Sequence, residues 1–224
     1  MTSREFRARL ARRSKRAEAP LTSGQLSALE SYFRLLVRWN RRINLTALKL
    51  DPPDEKSFDR LLIEPLVAAK FLPPGPVRLM DIGSGSGSPA VPLAIAHEAA
   101  ALTMVESKTR KAVFLMEAVR ELSLRATVET ARFEQLLARP DLHESMDVLS
   151  IRAVRVEPRT LLGLQAFVKP EGRLFWFKGS TAVPDDIPPP LRWAATHPLI
   201  DSLGSRLVVL VKEGIGRTVF HVEH

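Results

Sequence analysis

The chain has 224 residues, of which 45% are hydrophobic and 26% charged, a composition typical of globular proteins rather than disordered or collagen-like ones. It has no cysteine, which excludes disulfide bonds and thiolate metal sites, and its formal charge is +8. The sequence offers no apolar stretch long enough for a transmembrane helix and no signal peptide, so we expect a cytoplasmic protein.

The positive charge is concentrated at the amino terminus. Residues 1–20 contain seven arginine or lysine residues and two glutamates, a local excess of five. We interpret this segment as a flexible basic arm, which either contacts nucleic-acid phosphates or remains a solvated, frayed terminus. Basic surface continues beyond it, because four arginines follow within nine residues: Arg34, Arg38, Arg41 and Arg42.

Residues 21–72 are predicted to form a helical N-terminal extension. Thr22 and Gln25 have the spacing of a capping box, and apolar residues at three- and four-residue steps continue the helix to about Asn40. A second helix is predicted from about Glu55 to Phe71, with a kink at Pro65.

From residue 73 to residue 224, short apolar runs alternate with helical stretches, the pattern of repeated βα units around a parallel sheet. Strands are predicted at about 77–82, 102–106, 126–129, 146–151, 173–178 and 206–212, and helices at about 89–99, 108–122, 133–139 and 158–168. The proline-rich stretch 183–198 is predicted to be a loop with one edge strand around 191–195. The sequence therefore predicts an α/β, Rossmann-like domain with helices on both faces of the sheet, packed as one unit with the helical extension.

The most informative segment is a glycine-rich turn between the first strand and the next helix. Residues 81–87 read Asp-Ile-Gly-Ser-Gly-Ser-Gly, and glycines here let a cofactor approach the main chain without obstruction by side chains. A dinucleotide would place its pyrophosphate beside the Asp81 carboxylate, which is electrostatically unfavourable, whereas the ammonium group of S-adenosylmethionine would be attracted to it. Asp81 therefore favours the methyl donor, and a dinucleotide oxidoreductase is the less favoured alternative.

Four further positions follow strands of the predicted sheet. Glu106 ends the second strand, where a carboxylate can accept both ribose hydroxyls of an adenosine, and the main chain near Phe133 suits an adenine ring. Arg152 and Lys178 end the fourth and fifth strands, so we expect both to face the reaction crevice and to bind an anionic substrate such as RNA phosphate. Structural roles remain open: a solvated strand end for Glu106, core packing for Phe133, and rim salt bridges for the two cations.

In their order along the chain, these motifs resemble those of the bacterial RsmG (GidB) methyltransferases, whose fold resembles that of other class I S-adenosylmethionine-dependent enzymes. The resemblance covers roughly residues 25–212 and rests on Trp39–Thr46, Met80–Ile95, Val105–Ser107, Arg110–Lys111, Phe114–Leu115, Ala131–Glu134, Ser150–Val154 and Lys178–Gly179.

The resemblance implies transfer of a methyl group from S-adenosylmethionine to N7 of one guanosine in the 530 loop of 16S ribosomal RNA. Carried over to this sequence, it implies that the donor contacts Gly83, Ser88, Phe133, Glu134 and Arg152, with Asp81 and Glu106 near it. The expected donor site also includes Ser84, Gly85 and Ser107. Arg152 and Lys178 are the candidate catalytic residues, and no metal site is expected.

The chain departs from the family pattern in two places. The family usually has a histidine and an aspartate-serine pair in its second helix, where this chain reads Leu61–Pro65 and retains only an acid, Glu64. Ser86, Ser88 and Ala90 also differ from the residues common in the glycine loop.

Three alternatives stay open beside the oxidoreductase: a methyltransferase that acts on a protein, one that acts on a small molecule, and a non-enzymatic RNA-binding factor for ribosome assembly. The absence of a recognisable catalytic base suits guanine N7, because its in-plane lone pair needs alignment rather than proton removal. We expect a monomer whose partner is 16S ribosomal RNA or the 30S subunit.

Overall fold

A computed structural model describes residues 1–152, 156–179 and 186–214. Its central element is a mixed sheet with the strand order β3-β2-β1-β4-β5-β7-β6. The strands are β1 (Val77–Ile82), β2 (Ala100–Val105), β3 (Ala126–Glu129), β4 (Met146–Arg152), β5 (Val168–Lys178), β6 (Leu191–Ile200) and β7 (Ser205–Lys212). The first five are parallel, and β7 runs antiparallel to both β5 and β6.

Helices cover both faces of this sheet, as predicted. In the described part of the chain the α-helices are α1 (Ser3–Arg16), α2 (Ser23–Asn40), α3 (Glu55–Phe58), α4 (Glu64–Ala69), α5 (Ala90–Ala96), α6 (Thr109–Glu121), α7 (Phe133–Leu136) and α8 (Pro158–Leu164). Neighbouring strand residues alternate between two cores: Leu79 packs in the cluster that includes α1 to α6, and Met80 packs with α7 and α8. No helix in the described segments is long and apolar enough to span a membrane.

Most of the predicted elements are confirmed. Thr22 and Gln25 form the expected reciprocal capping box, and α2 ends at Asn40. The edge strand around residue 191 is also confirmed as β6, although it continues through Pro198 to Ile200. Ala153, Val154 and part of the predicted proline-rich loop lie outside the described residues.

The prediction of a flexible arm at residues 1–20 is wrong. Ser3–Arg16 forms α1, and a reciprocal capping box between Thr2 and Glu5 fixes its start. Phe6 and Leu10 lie one helical turn apart and are buried, which joins α1 to the main core. The Phe6 ring lies 5.2 Å from those of Phe33 and Phe58.

Several arginines of α1 also serve the fold rather than an external ligand. Arg7 binds the buried Glu30, and Arg13 makes a two-pronged ion pair with the buried Asp59. A buried carboxylate requires such a partner, so these arginines are part of the packing of α1. The division of the chain into an extension and a sheet domain near residue 73 stays a prediction.

The second predicted helix is interrupted just before Pro65. A π-helical turn at Asp59–Ile63 joins α3 to α4, and the N–H of Glu64 bonds the carbonyl of Asp59 rather than that of Arg60. Pro65 has no N–H and cannot bond the carbonyl of Leu61. The carbonyls of Arg60 and Leu61 are therefore available to other donors.

Candidate active site

The glycine loop runs from Gly83 to Pro89, between the end of β1 and the start of α5. Gly83, Gly85 and Gly87 have φ angles of 72°, 51° and 82°, a left-handed backbone that favours glycine. The N–H groups of Gly83 and Ser84 both donate to the carbonyl of Val105, at 2.8 and 3.1 Å, which anchors the loop to β2. The loop is therefore shaped by main-chain contacts.

A cavity of about 350 Å³ opens beside this loop. Strand order reverses at β1, whose neighbours are β2 and β4, and ligands of open α/β sheets bind at the carboxyl ends of strands at such a point. The described residues that line the cavity are Leu45, Thr46, Leu48, Arg60, Leu61, Gly83, Ser84, Gly85, Ser86, Ser88, Glu106, Lys111 and Arg152. The structure thus brings together six of the expected donor-site residues.

Glu106 lies in the cavity wall as a buried carboxylate rather than a solvated strand end. Its Oε2 accepts the N–H of Gly85 at 2.9 Å, and its Oε1 accepts the N–H of Lys108 at 2.7 Å. A carboxylate oxygen can accept more than one hydrogen bond, so both oxygens retain capacity for ligand hydroxyls. Glu106 therefore fixes the loop and also offers acceptors to the cavity.

Asp81 lies near the end of β1, just before the glycine loop, and its carboxylate is buried. It is 1% exposed, and its Oδ1 accepts the hydroxyl of Ser150 at 2.5 Å. Burial raises the pKa of its carboxyl group to about 6. Asp81 is not among the described residues that line the cavity, and its contact with the methyl donor stays a prediction.

Arg152 is buried and makes main-chain contacts from both ends of its guanidinium. Nη1 donates to the carbonyl of Arg60 at 2.7 Å, and Nη2 donates to the carbonyl of Ser88 at 2.6 Å. The hydroxyl of Ser88 donates to the carbonyl of Leu61 at 2.7 Å. Both carbonyls left available by the π-helical turn are thus bound from the cavity side, which fixes the helical extension against the glycine loop.

A fully buried carboxylate balances this arginine. Glu64 Oε2 lies 3.5 Å from Nη1 of Arg152, and Oε1 lies 2.9 Å from Nη1 of Arg60. Desolvation lowers the pKa of Arg152, and the charge of Glu64 opposes that change. The acid retained in the second helix is therefore the counter-charge of the cavity's buried cation.

Besides Asp81, four predicted site residues are absent from the described lining of this cavity. The Lys178 ammonium lies 4.4 Å from the centre of the Trp176 ring. Phe133 packs toward Gly163, where an added Cβ would come within 3.2 Å of its ring. Ser107 and Glu134 are exposed.

Several groups from α2 and the following loop contribute to this region but were not predicted from the sequence. The buried Tyr32 donates its hydroxyl to the carbonyl of Ser86 at 2.7 Å, and its ring is close enough to Gly87 to exclude a side chain there. Asn40 Oδ1 accepts the N–H groups of Leu45 and Thr46 at 2.9 and 3.0 Å, which holds these residues at the cavity. Asn40 lies in the Trp39–Thr46 motif, so this motif could have indicated the cavity wall that Leu45 and Thr46 form.

The fold and this cavity define a class I S-adenosylmethionine-dependent methyltransferase. Among solved structures the chain is similar to a methyltransferase of this kind from Aquifex aeolicus, with a TM-score of 0.53 and 15% identity over 70% of this chain and 93% of that one. It is also similar to a variant of MtNAS in complex with S-adenosylmethionine, with a TM-score of 0.55 and 15% identity over 84% of this chain and 75% of that one. At these identities the likeness shows the fold.

The family follows from the sequence itself. Residues 25–186 match the GidB family, described as rRNA small subunit methyltransferase G. Proteins named ribosomal RNA small subunit methyltransferase G are 36% identical in Acidiphilium cryptum, over 75% of each chain, and 37% identical in Xylella fastidiosa, over 83% of this chain and 85% of that one. The chain belongs to this family, and its cofactor is S-adenosylmethionine.

Proposed function

We propose that this chain transfers a methyl group from S-adenosylmethionine to N7 of a guanosine in the 530 loop of 16S ribosomal RNA. The observation that carries the proposal is the cavity at the reversal of strand order, where the glycine loop, a buried acid and a buried arginine meet in a member of this family. The 30S subunit in the bacterial cytoplasm is the proposed partner, and the chain acts as a monomer.

The residues at the cavity suit the methyl donor. Gly83 and Gly85 leave the main chain open, since a side chain on Gly85 would start 4.0 Å from Oε2 of Glu106, inside the cavity wall. We propose that Glu106 accepts hydrogen bonds from the ribose hydroxyls of the donor. Ser84 and Ser88 provide polar groups for the donor at the glycine loop. When bound, the donor supplies an electrophilic methyl group on a sulfonium.

We also propose roles for the other site residues predicted from the sequence. Ser107 adjoins Glu106, and Phe133 with Glu134 follows the neighbouring strand β3, where an adenine ring would lie. Asp81 acts on the donor indirectly, through the glycine loop that follows it. Lys178 ends β5 next to Arg152 on β4, where it would contact RNA phosphate.

Reaction at N7 requires alignment, and Arg152 is placed to provide it. Its planar fork bonds one carbonyl of the π-helical turn and one of the glycine loop, so it fixes the distance between two walls of the cavity. Misplacing reacting groups by about 1 Å can lower a rate by about 100-fold. We therefore propose that Arg152 is a positioning residue for the transfer step.

The test is single-turnover methylation of 30S subunits with labelled donor, followed by mapping of N7-methylguanosine in the RNA. Arg152→Lys keeps the charge but cannot hold both carbonyls, so we expect the rate at saturating donor and 30S to fall by at least about tenfold. Arg125→Lys, just before the amino end of the edge strand β3, is the matched control. Label on protein or metabolites instead of RNA would overturn the proposal, and an unchanged saturated rate would remove Arg152 from the transfer step.

A further inference from the structure

A second and larger cavity lies away from the glycine loop. It encloses about 520 Å³ between α1, α2 and residues 50–53. Its apolar floor includes Phe6, Phe33, Val37 and Leu50, and its rim carries Arg34, Arg38, Arg41 and Arg42. We call it the helical cavity and the one beside the glycine loop the donor cavity.

We propose that the helical cavity binds a nucleotide of single-stranded RNA adjacent to the methylated one, with the base on the apolar floor and its phosphate at the arginine rim. This inference rests on the proposed function, because it assigns a second contact to the same RNA substrate. Unpaired bases of RNA are read by apolar and aromatic groups, and phosphates by arginine.

The charge of the rim favours an anionic ligand. Four arginines face one acid, Asp51, among the described residues that line the cavity. Arg42 makes no ion pair with any described residue and is exposed. Arg41 pairs with Asp51 at 2.6 Å, but the two side chains are 70% and 59% exposed, and such surface pairs contribute little and exchange readily.

The arginines differ in how firmly the chain holds them. Arg34 bonds the buried Glu30 at 2.7 Å, so it belongs to the packing of α1 on α2. Arg38 bonds two glutamates of α6, Glu121 at 3.0 Å and Glu117 at 3.4 Å, although its own side chain is 53% exposed. Arg38, Arg41 and Arg42 are therefore the groups that can turn to a phosphate.

The floor distinguishes a nucleotide from a simple anion. Phe6 and Phe33 are buried in an aromatic cluster with Phe58, and the half-buried Val37 lines the same cavity. An apolar surface beneath a cationic rim matches a ligand with a flat apolar ring and an attached phosphate. Inorganic phosphate would use the rim alone.

The position of the helical cavity connects it to the donor cavity. Leu45, Thr46 and Leu48 line the donor cavity, whereas Leu50 and Asp51 line the helical cavity. Two residues of chain span at most about 7 Å, so one short segment forms a wall of both. An RNA strand whose target base lies in the donor cavity can therefore continue across this segment to the arginine rim.

The first experiment separates RNA contact from donor binding. We expect Arg42→Gln to raise KM for 30S subunits by about fivefold and to lower the slope of log affinity against log salt by about one. The saturated rate and donor affinity should stay unchanged. Arg125→Gln makes the same charge change at the amino end of β3 and should alter KM by less than about twofold.

The second experiment uses a variant that is expected to bind RNA more tightly, because a loss of structure would not raise RNA affinity. Asp51→Asn removes the acid that occupies Arg41, so RNA affinity should rise by about threefold. Val37→Phe fills the floor without a change of charge. It should weaken binding of a single-stranded RNA oligonucleotide and leave binding of inorganic polyphosphate unchanged.

The outcomes distinguish this inference from the proposed function. If the wild-type protein methylates 30S subunits and all three variants match it, the helical cavity does not bind RNA. If the wild-type protein fails to methylate them while RNA binding follows Arg42, Asp51 and Val37 as expected, the proposed function falls and the RNA site stands. Equal competition by an acidic peptide and by RNA, insensitive to Val37→Phe, would assign the cavity to a protein partner and overturn the inference.

Discussion

The donor cavity and the helical cavity share one wall but differ in the groups that form them, main-chain groups in the first and side chains in the second. The glycine loop of the donor cavity is held through main-chain groups, by the carbonyl of Val105, by Glu106 and by Arg152. The helical cavity is walled by side chains of α1 and α2, and its polar rim is formed by long, exposed arginines. A main-chain wall suits one ligand of fixed shape, whereas flexible cations tolerate a ligand whose position varies.

Gly85→Val should have the largest effect on this contrast. A left-handed backbone costs a branched residue about 1 to 3 kcal/mol, and the new side chain would enter the donor cavity. We expect donor affinity to fall by at least about 100-fold by calorimetry, with RNA affinity retained. Gly75→Val is the matched control, because Gly75 has a φ of 79° but no atom within 4 Å of an added Cβ. If the Gly85 variant and wild type bind the donor equally, the donor does not bind at the glycine loop.

Asp81→Asn tests the buried carboxyl beneath the loop. The pKa of Asp81 is raised from 3.8 to about 6, so the unfolded chain ionises first and the folded state becomes relatively less stable as pH rises through that interval. Asparagine lacks this penalty. We expect the difference in unfolding free energy between the variant and wild type, measured in urea, to shift in favour of the variant by roughly 3 kcal/mol between pH 4 and pH 7.

Exposed Asp201→Asn serves as the control for that pH series. If the difference in stability between the variant and wild type does not vary with pH, the Asp81 carboxyl titrates normally. Donor affinity of Asp81→Asn, measured at pH 8, also decides whether Asp81 attracts the ammonium group: a large loss would support that direct role.

Glu106→Gln should have a smaller effect on the donor cavity. The amide keeps one acceptor but offers less to the ribose hydroxyls and to the N–H of Gly85, so binding should weaken by about 1 to 3 kcal/mol. The donor and its demethylated product should lose equally, because both carry the ribose. Exposed Glu98→Gln is the control, and a loss selective for one ligand would contradict ribose recognition.

Substitutions of exposed arginines on α1 are expected to have the smallest effect. Deleting residues 1–19 would remove Phe6 and Leu10 from the core, so charge substitution is the better test. Arg4 and Arg12 are exposed and have no ion pair with any described residue. Replacing both with glutamine should lower the slope of log RNA affinity against log salt by at most about 1.4, with donor binding unchanged. An unaltered slope would leave α1 a purely structural helix.

The sequence revealed features that depend on contiguous residues. The strands, the capping box of α2 and the glycine loop follow from local periodicity and turn chemistry, and Glu106 follows from its place after β2. Side-chain direction was harder to predict. The pattern shows that Lys178 ends a strand, but whether it faces the cavity depends on packing against Trp176.

The error at α1 has a specific physical cause. Its apolar stripe consists of only Phe6 and Leu10 among many arginines, too little to indicate a core helix by periodicity. The carboxylates that neutralise Arg7 and Arg13 lie far along the chain, at Glu30 and Asp59. Thr2 and Glu5 were the local signal, because their spacing is that of a capping box.

The π-helical turn has a consequence for which substitutions this wall can accept. Arg152 and Ser88 bind the turn through the carbonyl oxygens of Arg60 and Leu61, which every amino acid possesses. The side chains of the turn are therefore not needed for these hydrogen bonds. The residues that preserve the interface are Pro65, which has no N–H to bond Leu61, the buried Glu64, which balances the charge of Arg152, and the partners across the cavity. The chain can therefore depart from the family pattern expected at residues 61–65 while its backbone still accepts the hydrogen bonds of Arg152 and Ser88. A sequence can thus diverge along this turn while its backbone continues to be recognised in the same way.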